Sequence, residues 1–278
     1  MPGPPSDSSS TVPIFVHDRL AVTISAVLLV AASISWLASY YLMPLMMSGS
    51  SGMMAGMGVA AIVSSLSLPA VAFFEAIWVI GMAAMMFPAM IPMVLFYNQA
   101  KTKLETNPTL AKVAGTPLFL GGYLVTYALL GVGAYLAVYA ALALSSTFPA
   151  LVGLSIIAPS AVLVAAGLYQ FSSLKSRCLS QCISPFGFFA TRSRTGLAGA
   201  FRMGVSHGTF CVGCCWAFML VMLAVGAMSI PIMAALAGVI ALEKVVVKGS
   251  VWFNRGVGFA LMSFGILVAF VPSALASV

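Results

Sequence analysis

Seven long runs of apolar residues follow one another along the chain, separated by short polar segments. The runs cover residues 20–42, 72–97, 117–143, 152–173, 204–228, 230–247 and 255–275. Most are close to the roughly 20 residues that cross a bilayer as a helix. None alternates polar and apolar residues with the period of two that is typical of a membrane β-barrel. The pattern predicts an all-α protein, a polytopic membrane bundle of about seven transmembrane helices.

The chain begins with a Pro- and Ser-rich segment, MPGPPSDSSSTVPIF, which lacks a basic region ahead of the first apolar run. Such composition is typical of disorder. The run that follows is long enough to span a membrane, so it is read as an uncleaved helix rather than a signal peptide. We expect residues 1–19 to form a disordered tail and residues 20–278 to form a single transmembrane helical domain.

Composition agrees with a lipid environment, since 62% of the 278 residues are hydrophobic and 6% are charged, against about 25% charged in soluble domains. In a seven-helix arrangement all twelve basic residues fall on one side of the membrane: Arg19, Lys101, Lys103, Lys112, Lys175, Arg177, Arg192, Arg194, Arg202, Lys244, Lys248 and Arg255. Basic loops stay in the cytoplasm. We therefore expect the N-terminus inside and the C-terminus outside, in a bacterial inner (plasma) membrane, and no nucleic acid partner.

The fifth run holds the most reactive side chains, in the stretch HGTFCVGCCWAFMLVM at residues 207–222. Residues three and four apart share one face of a helix. One face therefore carries an imidazole, then thiols, then thioethers: His207, Cys211, Cys214, Cys215, Met219 and Met222. Thiolate and thioether ligands select soft ions such as Cu(I). The spacing predicts a metal site at the cytoplasmic end of this helix.

Two further cysteines, Cys178 and Cys182, follow the fourth run, in LYQFSSLKSRCLSQCISP. They are four residues apart, so a helix there would align them. Both lie on the predicted cytoplasmic side, as does the start of the fifth run. We expect all five cysteines to meet in one region. The pair Glu243–Lys244 is expected to mark the inner end of the sixth run.

The second run, FFEAIWVIGMAAMMFPAMIPMVLFY, carries an acid and methionines at helical spacing: Glu75, Met82, Met86 and Met90. A carboxyl inside a membrane span is by default a functional group. These residues, with Met219 and Met222 on the fifth run, predict a path for a soft ion through the membrane. Methionine is also a flexible apolar residue that fills gaps between helices, so the sequence predicts equally well that these methionines serve only in packing.

A loop on the predicted outer side reads MPLMMSGSSGMMAGMG and contains six methionines: Met43, Met46, Met47, Met53, Met54 and Met57. Thioethers need no deprotonation to bind Cu(I) and form no disulfides. Ligands thus grade from thioether outside to thiolate and imidazole inside, which favours inward passage of the ion or its retention at the inner face.

The chain resembles a bacterial family of uncharacterised, predicted metal-binding integral membrane proteins of unknown function. The resemblance covers about residues 72–250 and is carried by three segments, MAAMMFPAMIPMVLFY, GLYQFSSLKSRCLSQCISPFGF and GAFRMGVSHGTFCVGCCWAFMLVMLAVGAMSIPIMAALAGVIALEK. It implies a metal function and points to the same imidazole and five thiols that the spacing selects.

Three functions are consistent with these features. The first is a membrane copper-handling protein that binds Cu(I) and transports it or delivers it to a membrane copper enzyme or metallochaperone. The second is a transmembrane thiol–disulfide relay, because Cys211 and Cys214 have the C-x-x-C spacing of redox pairs. The third is a scaffold or partner subunit with a structural zinc site. An enzyme is the less favoured class, since no Ser-His-Asp set, no carboxylate pair, no H-E-x-x-H and no P-loop is present.

Overall fold

A computed structural model describes residues 19–47, 62–63, 65–104, 111–148, 152–226 and 229–270. These ranges are built from helices, which confirms the predicted all-α class. We number the α-helices α1 (Arg19–Met47), α2 (Leu68–Leu104), α3 (Thr116–Thr147), α4 (Val152–Tyr169), α5 (Ser173–Ile183), α6 (Pro185–Arg192), α7 (Gly196–Gly226), α8 (Ile230–Ala241) and α9 (Val251–Phe270). Two π-helical turns, Ala111–Gly115 and Leu242–Val246, precede α3 and follow α8. Of the predicted tail, residues 1–19, the first 18 residues lie outside the described ranges, and Arg19 begins α1.

Each predicted apolar run coincides with a helix, and five helical stretches are long and apolar enough to cross a membrane. They are Ala21–Leu42, Leu68–Lys101, Val113–Thr147, Gly196–Val225 and Val251–Phe270. The fourth run forms α4, which is followed by α5 at an angle of 67°, and the two helices make a sixth span if they are counted together. The sixth run forms only the 12-residue α8 and a π-helical turn. Seven spans and their orientation stay predictions.

The break between α4 and α5 has a local cause in the sequence QFSS. The Ser172 side chain accepts a hydrogen bond from the backbone N–H of Leu174 at 3.1 Å, so Ser172 caps the start of α5. Because an N-cap residue leaves the helical conformation, it starts α5 in a new direction. The sequence placed the helix end at residue 173, whereas α4 ends at Tyr169.

The main core lies between α2, α3 and α7, and it contains sulfur as well as carbon. α3 packs along α7, α1 along α2, and α4 along α9. Five of the methionines predicted to line a path are buried in one continuous core with the fifth-run cysteines: Met82, Met86, Met90, Met219 and Met222. Thioether and thiol side chains therefore share the interior of the bundle.

Glycines bring α3 and α7 into backbone contact. A Cβ atom on Gly204 would lie 2.0 Å from the carbonyl oxygen of Phe119, and one on Gly122 would lie 2.2 Å from that of Phe201. No side chain fits at such distances, so the two helices approach as closely as small residues allow. This contact fixes the axial position of α7 and of the cysteines it carries.

Gly204→Ala is expected to lower the thermal stability of the purified protein. Alanine favours a helix over glycine by about 1 kcal/mol, so destabilisation would come from the clash with α3, which costs about 1–3 kcal/mol. The matched control is Gly133→Ala on α3, where a Cβ atom meets nothing within 4 Å. Melting temperatures measured in one detergent should fall for the first variant only; an equal response of both would contradict the close contact.

Candidate metal centre

Three cysteine sulfurs from two helices converge inside the bundle. The Sγ atoms of Cys182 on α5 and of Cys211 and Cys214 on α7 all lie within 4.8 Å of one another. The Sγ atoms of Cys182 and Cys214 lie 3.8 Å apart. Metal–sulfur bonds of about 2.3 Å separate two ligand sulfurs by about 3.8 Å in a tetrahedral centre and about 4.6 Å in a linear one. The three thiols, which we call the thiol centre, have the spacing of ligands to one ion.

A glycine on α7 allows α5 to approach the thiol centre. A Cβ atom on Gly213 would lie 2.7 Å from the Sγ atom of Cys178. A side chain at this position would force the thiol of Cys178 to move, so glycine allows α5 and α7 to pack closely here. Cys178 itself packs on this glycine and is not one of the three clustered sulfurs.

A buried ammonium group contacts the thiol centre. Lys244, in the π-helical turn after α8, donates a hydrogen bond from Nζ to Cys211 Sγ at 2.8 Å. The phenol oxygen of Tyr123 lies 3.2 Å from the same sulfur. Because Lys244 is only 8% exposed, its charge is poorly screened and stabilises negative charge on the sulfur. Cys211 therefore has the surroundings of a thiolate ligand.

Glu243, the residue before Lys244, forms a buried ion pair of its own. Glu243 lies 2.6 Å from Lys175 of α5, and both side chains are almost fully buried. Lys175 also donates to Gln170 Oε1 and lies 4.8 Å above the ring of Phe218. The charges of Glu243 and Lys175 cancel, which leaves Lys244 as the cation that faces sulfur. A negatively charged sulfur, as a free thiolate or a metal-bound one, is the partner that balances such a buried cation.

His207 lies one helical turn from Cys211 but in an aromatic pocket. Its ring is stacked on Phe119 and Tyr123, with centroids 6.0 and 5.9 Å away, and meets Phe188 edge-on at 5.4 Å. Its Nδ1 atom is buried and has no hydrogen-bond partner among the described residues. His207 is not part of the thiol centre, so its role as a ligand stays a prediction.

Cys215 faces α3 rather than α5. Its thiol donates to the carbonyl oxygen of Cys211 at 2.8 Å and lies 3.9 Å from the phenol oxygen of Tyr127. The consecutive residues Cys214 and Cys215 thus point to different partners. The structure places Cys215 beside the thiol centre without including it among the three clustered sulfurs.

Glu75, the acid predicted to lie on the ion path, is near the N-terminal end of α2. Its carboxylate packs on α3, where a Cβ atom on Gly131 would lie 2.7 Å from Oε1 of Glu75. Neither carboxylate oxygen of Glu75 has a hydrogen-bond partner in the part of the chain that the structure describes. The buried methionines of α2 and α7 share the core that contains Cys211 and Cys214, and their use as a path stays a prediction.

The outer methionines divide between two situations. Met43, Met46 and Met47 belong to α1, which continues to Met47, so their backbone is helical where a loop was expected. The apolar sequence simply extends past residue 42. The other three, Met53, Met54 and Met57, lie outside the described residues.

Sequence spacing did not identify several polar groups at the centre. Tyr123 and Tyr127 lie one turn apart on α3. Two phenols in an otherwise apolar run are a sequence signal that could have identified them as polar groups of the site. The pair Glu243–Lys244 was expected at the membrane interface, whereas both side chains are buried. Glu243 pairs with Lys175, and Lys244 contacts Cys211 of the thiol centre. Their unexpected role comes from tertiary packing of distant elements.

Buried thiols beside an ammonium group, within a bundle of long apolar helices, fit a protein that handles a soft metal. Residues 75–268 match the PpoB2 family, which is described as a copper chaperone family. The match covers more than half of the chain, so this protein belongs to that family, which confirms the metal-related part of the resemblance. The matched region includes all five cysteines and Lys244 but not the outer methionines. Neither the curated proteins nor the solved structures contain a match.

Proposed function

We propose that this protein is a membrane copper chaperone that binds Cu(I) at Cys182, Cys211 and Cys214 and delivers it to a copper enzyme. The observation that carries the proposal is the set of three sulfurs within 4.8 Å of one another, with the ammonium of Lys244 on one of them. A Cu(I) ion held by three thiolates bears two negative charges, and this cation balances one of them. The family description supports copper as the cargo.

The ligand set favours copper over a structural zinc site. Structural zinc is almost always held by four protein ligands in a closed tetrahedron. In the described ranges, the group of His, Cys, Asp and Glu ligand atoms that could surround one ion has three members. Cu(I) is served by soft thiolates and needs no fourth ligand. An incomplete shell also leaves a position from which a recipient protein takes the ion.

The buried methionines supply a route to or from the thiol centre in this proposal. Met82, Met86 and Met90 on α2 and Met219 on α7 are each at most 3% exposed and share the core with Cys211. A bare ion in hydrocarbon carries a large solvation cost, so thioethers would relay it. The bacterial inner membrane is the proposed location, and a membrane copper enzyme or a metallochaperone is the proposed partner.

A thiol–disulfide relay is the second candidate, because the sulfurs of Cys182 and Cys214 lie 3.8 Å apart. A disulfide needs about 2.05 Å, so a modest approach of α5 and α7 would join them. Oxidation of this pair would destroy the proposed copper site. Copper binding therefore predicts that Cys182 and Cys214 are reduced in the purified protein, whereas the relay predicts a disulfide between them.

Metal analysis of the protein, purified anaerobically from cells supplied with both copper and zinc, tests the proposal. We expect one copper per chain, no zinc, and all five thiols free after removal of copper. Addition of a Cu(I)-selective chelator as a stand-in recipient should withdraw the ion without unfolding the bundle. One equivalent of zinc would contradict the proposal in favour of a scaffold, and a metal-free protein with a Cys182–Cys214 disulfide would contradict it in favour of a relay.

A further inference from the structure

The helix α5 supplies one of the three clustered sulfurs, that of Cys182, but α5 is not continuous with the helix before it. α4 ends at Tyr169, and α5 leaves it at an angle of 67°, so the position of Cys182 depends on side-chain contacts. A metal ligand has to be held within about 0.5 Å of its place, whereas helices at packed interfaces shift by about 1–2 Å. Apolar packing of α5 on α7 is therefore too loose by itself to define the thiol centre.

A buried ion pair holds α5 near its first turn. Lys175 Nζ lies 2.6 Å from Glu243 Oε1, and both side chains are at most 2% exposed. Lys175 precedes Cys182 by seven residues, which is about two helical turns, so the two side chains lie on the same face of α5. Because Glu243 Oε1 has no hydrogen bond of good geometry in the described ranges, its attraction to Nζ depends on the two charges.

The same lysine contacts several elements around the thiol centre. Lys175 donates a hydrogen bond to Gln170 Oε1, across the break between α4 and α5, and its Nζ atom lies 4.8 Å from the centre of the Phe218 ring on α7. One ammonium group thus joins α5 to the end of α4, to α7 and to the π-helical turn after α8. Since this lysine is fully buried, water screens its charge little and its ion pair is correspondingly strong.

The π-helical turn connects this ion pair to the thiol centre. Glu243 and Lys244 are consecutive and both buried, but the first reaches α5, whereas the second reaches Cys211 on α7 at 2.8 Å. The backbone carbonyl of Glu243 accepts a hydrogen bond from the N–H of Gly249 at 2.8 Å. A Cβ atom on Gly249 would lie 3.2 Å from the Leu179 side chain of α5. The turn is therefore packed on α5 and links α5 to α7.

We propose that Lys175 and Glu243 are positioning residues for Cys182: their ion pair holds α5 where its sulfur joins the two sulfurs of α7 on one copper ion. The inference rests on the proposed copper function and deepens it. Without the ion pair, the copper ion keeps the two sulfurs of α7 and loses the one from α5. The pair itself binds no metal in this account, because Lys175 is a cation and Glu243 is not among the clustered ligand atoms.

Glu243→Gln tests the proposal, because it keeps the size of the side chain and removes its charge. We expect the affinity for Cu(I) to fall by about 10–100-fold, the range for residues that act through a metal ligand. X-ray absorption should show one sulfur neighbour fewer than in the parent. In a Cys182→Ser background the same substitution should change the affinity by no more than a few-fold, because the ligand on which it acts is already absent. Equal losses in both backgrounds, or an unchanged number of sulfur neighbours, would overturn the proposal.

Two further variants at the π-helical turn serve as controls. Glu243→Asp keeps the charge and should retain most of the affinity. Lys244→Met removes the adjacent charge, which contacts Cys211 and not Cys182, so its loss of affinity should persist in the Cys182→Ser background. A result in which Lys244→Met and Glu243→Gln behave alike in the two backgrounds would overturn the assignment of Glu243 to Cys182.

The double variant Lys175→Met with Glu243→Met keeps the proposal testable if Glu243→Gln fails to fold. It leaves neither partner of the pair as an unpaired buried charge, and such replacements are often neutral for stability. Apolar contact is non-directional, however, so it does not hold α5 at one position, and we expect the same loss of affinity and of one sulfur neighbour. Copper binding like that of the parent would overturn the inference and leave the copper function standing. A parent protein that binds no copper would refute both.

Discussion

Cys182→Ser, Cys211→Ser and Cys214→Ser, made one at a time, are each expected to lower the affinity for Cu(I) by at least about 100-fold, the upper end of what loss of an outer-sphere partner costs. Serine keeps the size of the side chain but replaces a soft thiolate by a neutral hydroxyl, which Cu(I) binds poorly. The remaining two sulfurs would then hold the ion alone. Anaerobic competition against a Cu(I)-selective chelator measures the change.

The matched control is Cys215→Ser. Cys215 is as buried as Cys214, at 1% exposure each, and adjacent to it in sequence, but its thiol faces Tyr127. We expect this variant to bind Cu(I) within a few-fold of the parent. An equal loss in Cys215→Ser and Cys214→Ser would contradict the assignment of three ligands and would indicate a general loss of folding or a different ligand set.

Lys244→Met is expected to lower the affinity for Cu(I) by about 10–100-fold, the range measured for outer-sphere partners of metal ligands. The substitution keeps most of the apolar stem but removes the ammonium that lies 2.8 Å from Cys211 Sγ. A buried metal–thiolate anion would then lack its counter-charge, and burying a charge without a partner is costly. The same chelator competition applies, with bound copper per chain as a second readout.

Two variants separate charge from structure in this prediction. Lys244→Arg keeps the positive charge and should recover much of the affinity. Lys248→Met removes an equal charge from an exposed residue one turn further along the chain and should leave the affinity unchanged. A loss in Lys248→Met as large as that in Lys244→Met would show that net charge, and not the contact with Cys211, is responsible.

The helices and the sulfur face of α7 follow from local sequence. Long apolar runs predict helices because lipid offers no other partner for the backbone. Cys211 and Cys214 share a face because they are three residues apart, and that relation holds in any helix. The approach of Cys182 was expected from its predicted side of the membrane, and the Gly213 contact that permits it is a packing detail.

The charged partners of the thiols could not be predicted in this way. Lys244 and Tyr123 are separated from Cys211 by 33 and 88 residues, so no spacing rule connects them. The same limit applies to His207, whose helical position was predicted but whose ring packs among Phe119 and Phe188. A rule for sharing a helix face says nothing about which neighbouring helix a side chain meets.

X-ray absorption spectroscopy of the copper-loaded protein tests the central claim most directly. The thiol centre predicts monovalent copper with two or three sulfur neighbours and no nitrogen neighbour, and a spectrum that changes in Cys182→Ser but not in Cys215→Ser. A spectrum dominated by nitrogen or oxygen neighbours, or one indifferent to Cys182→Ser, would contradict binding of Cu(I) between α5 and α7.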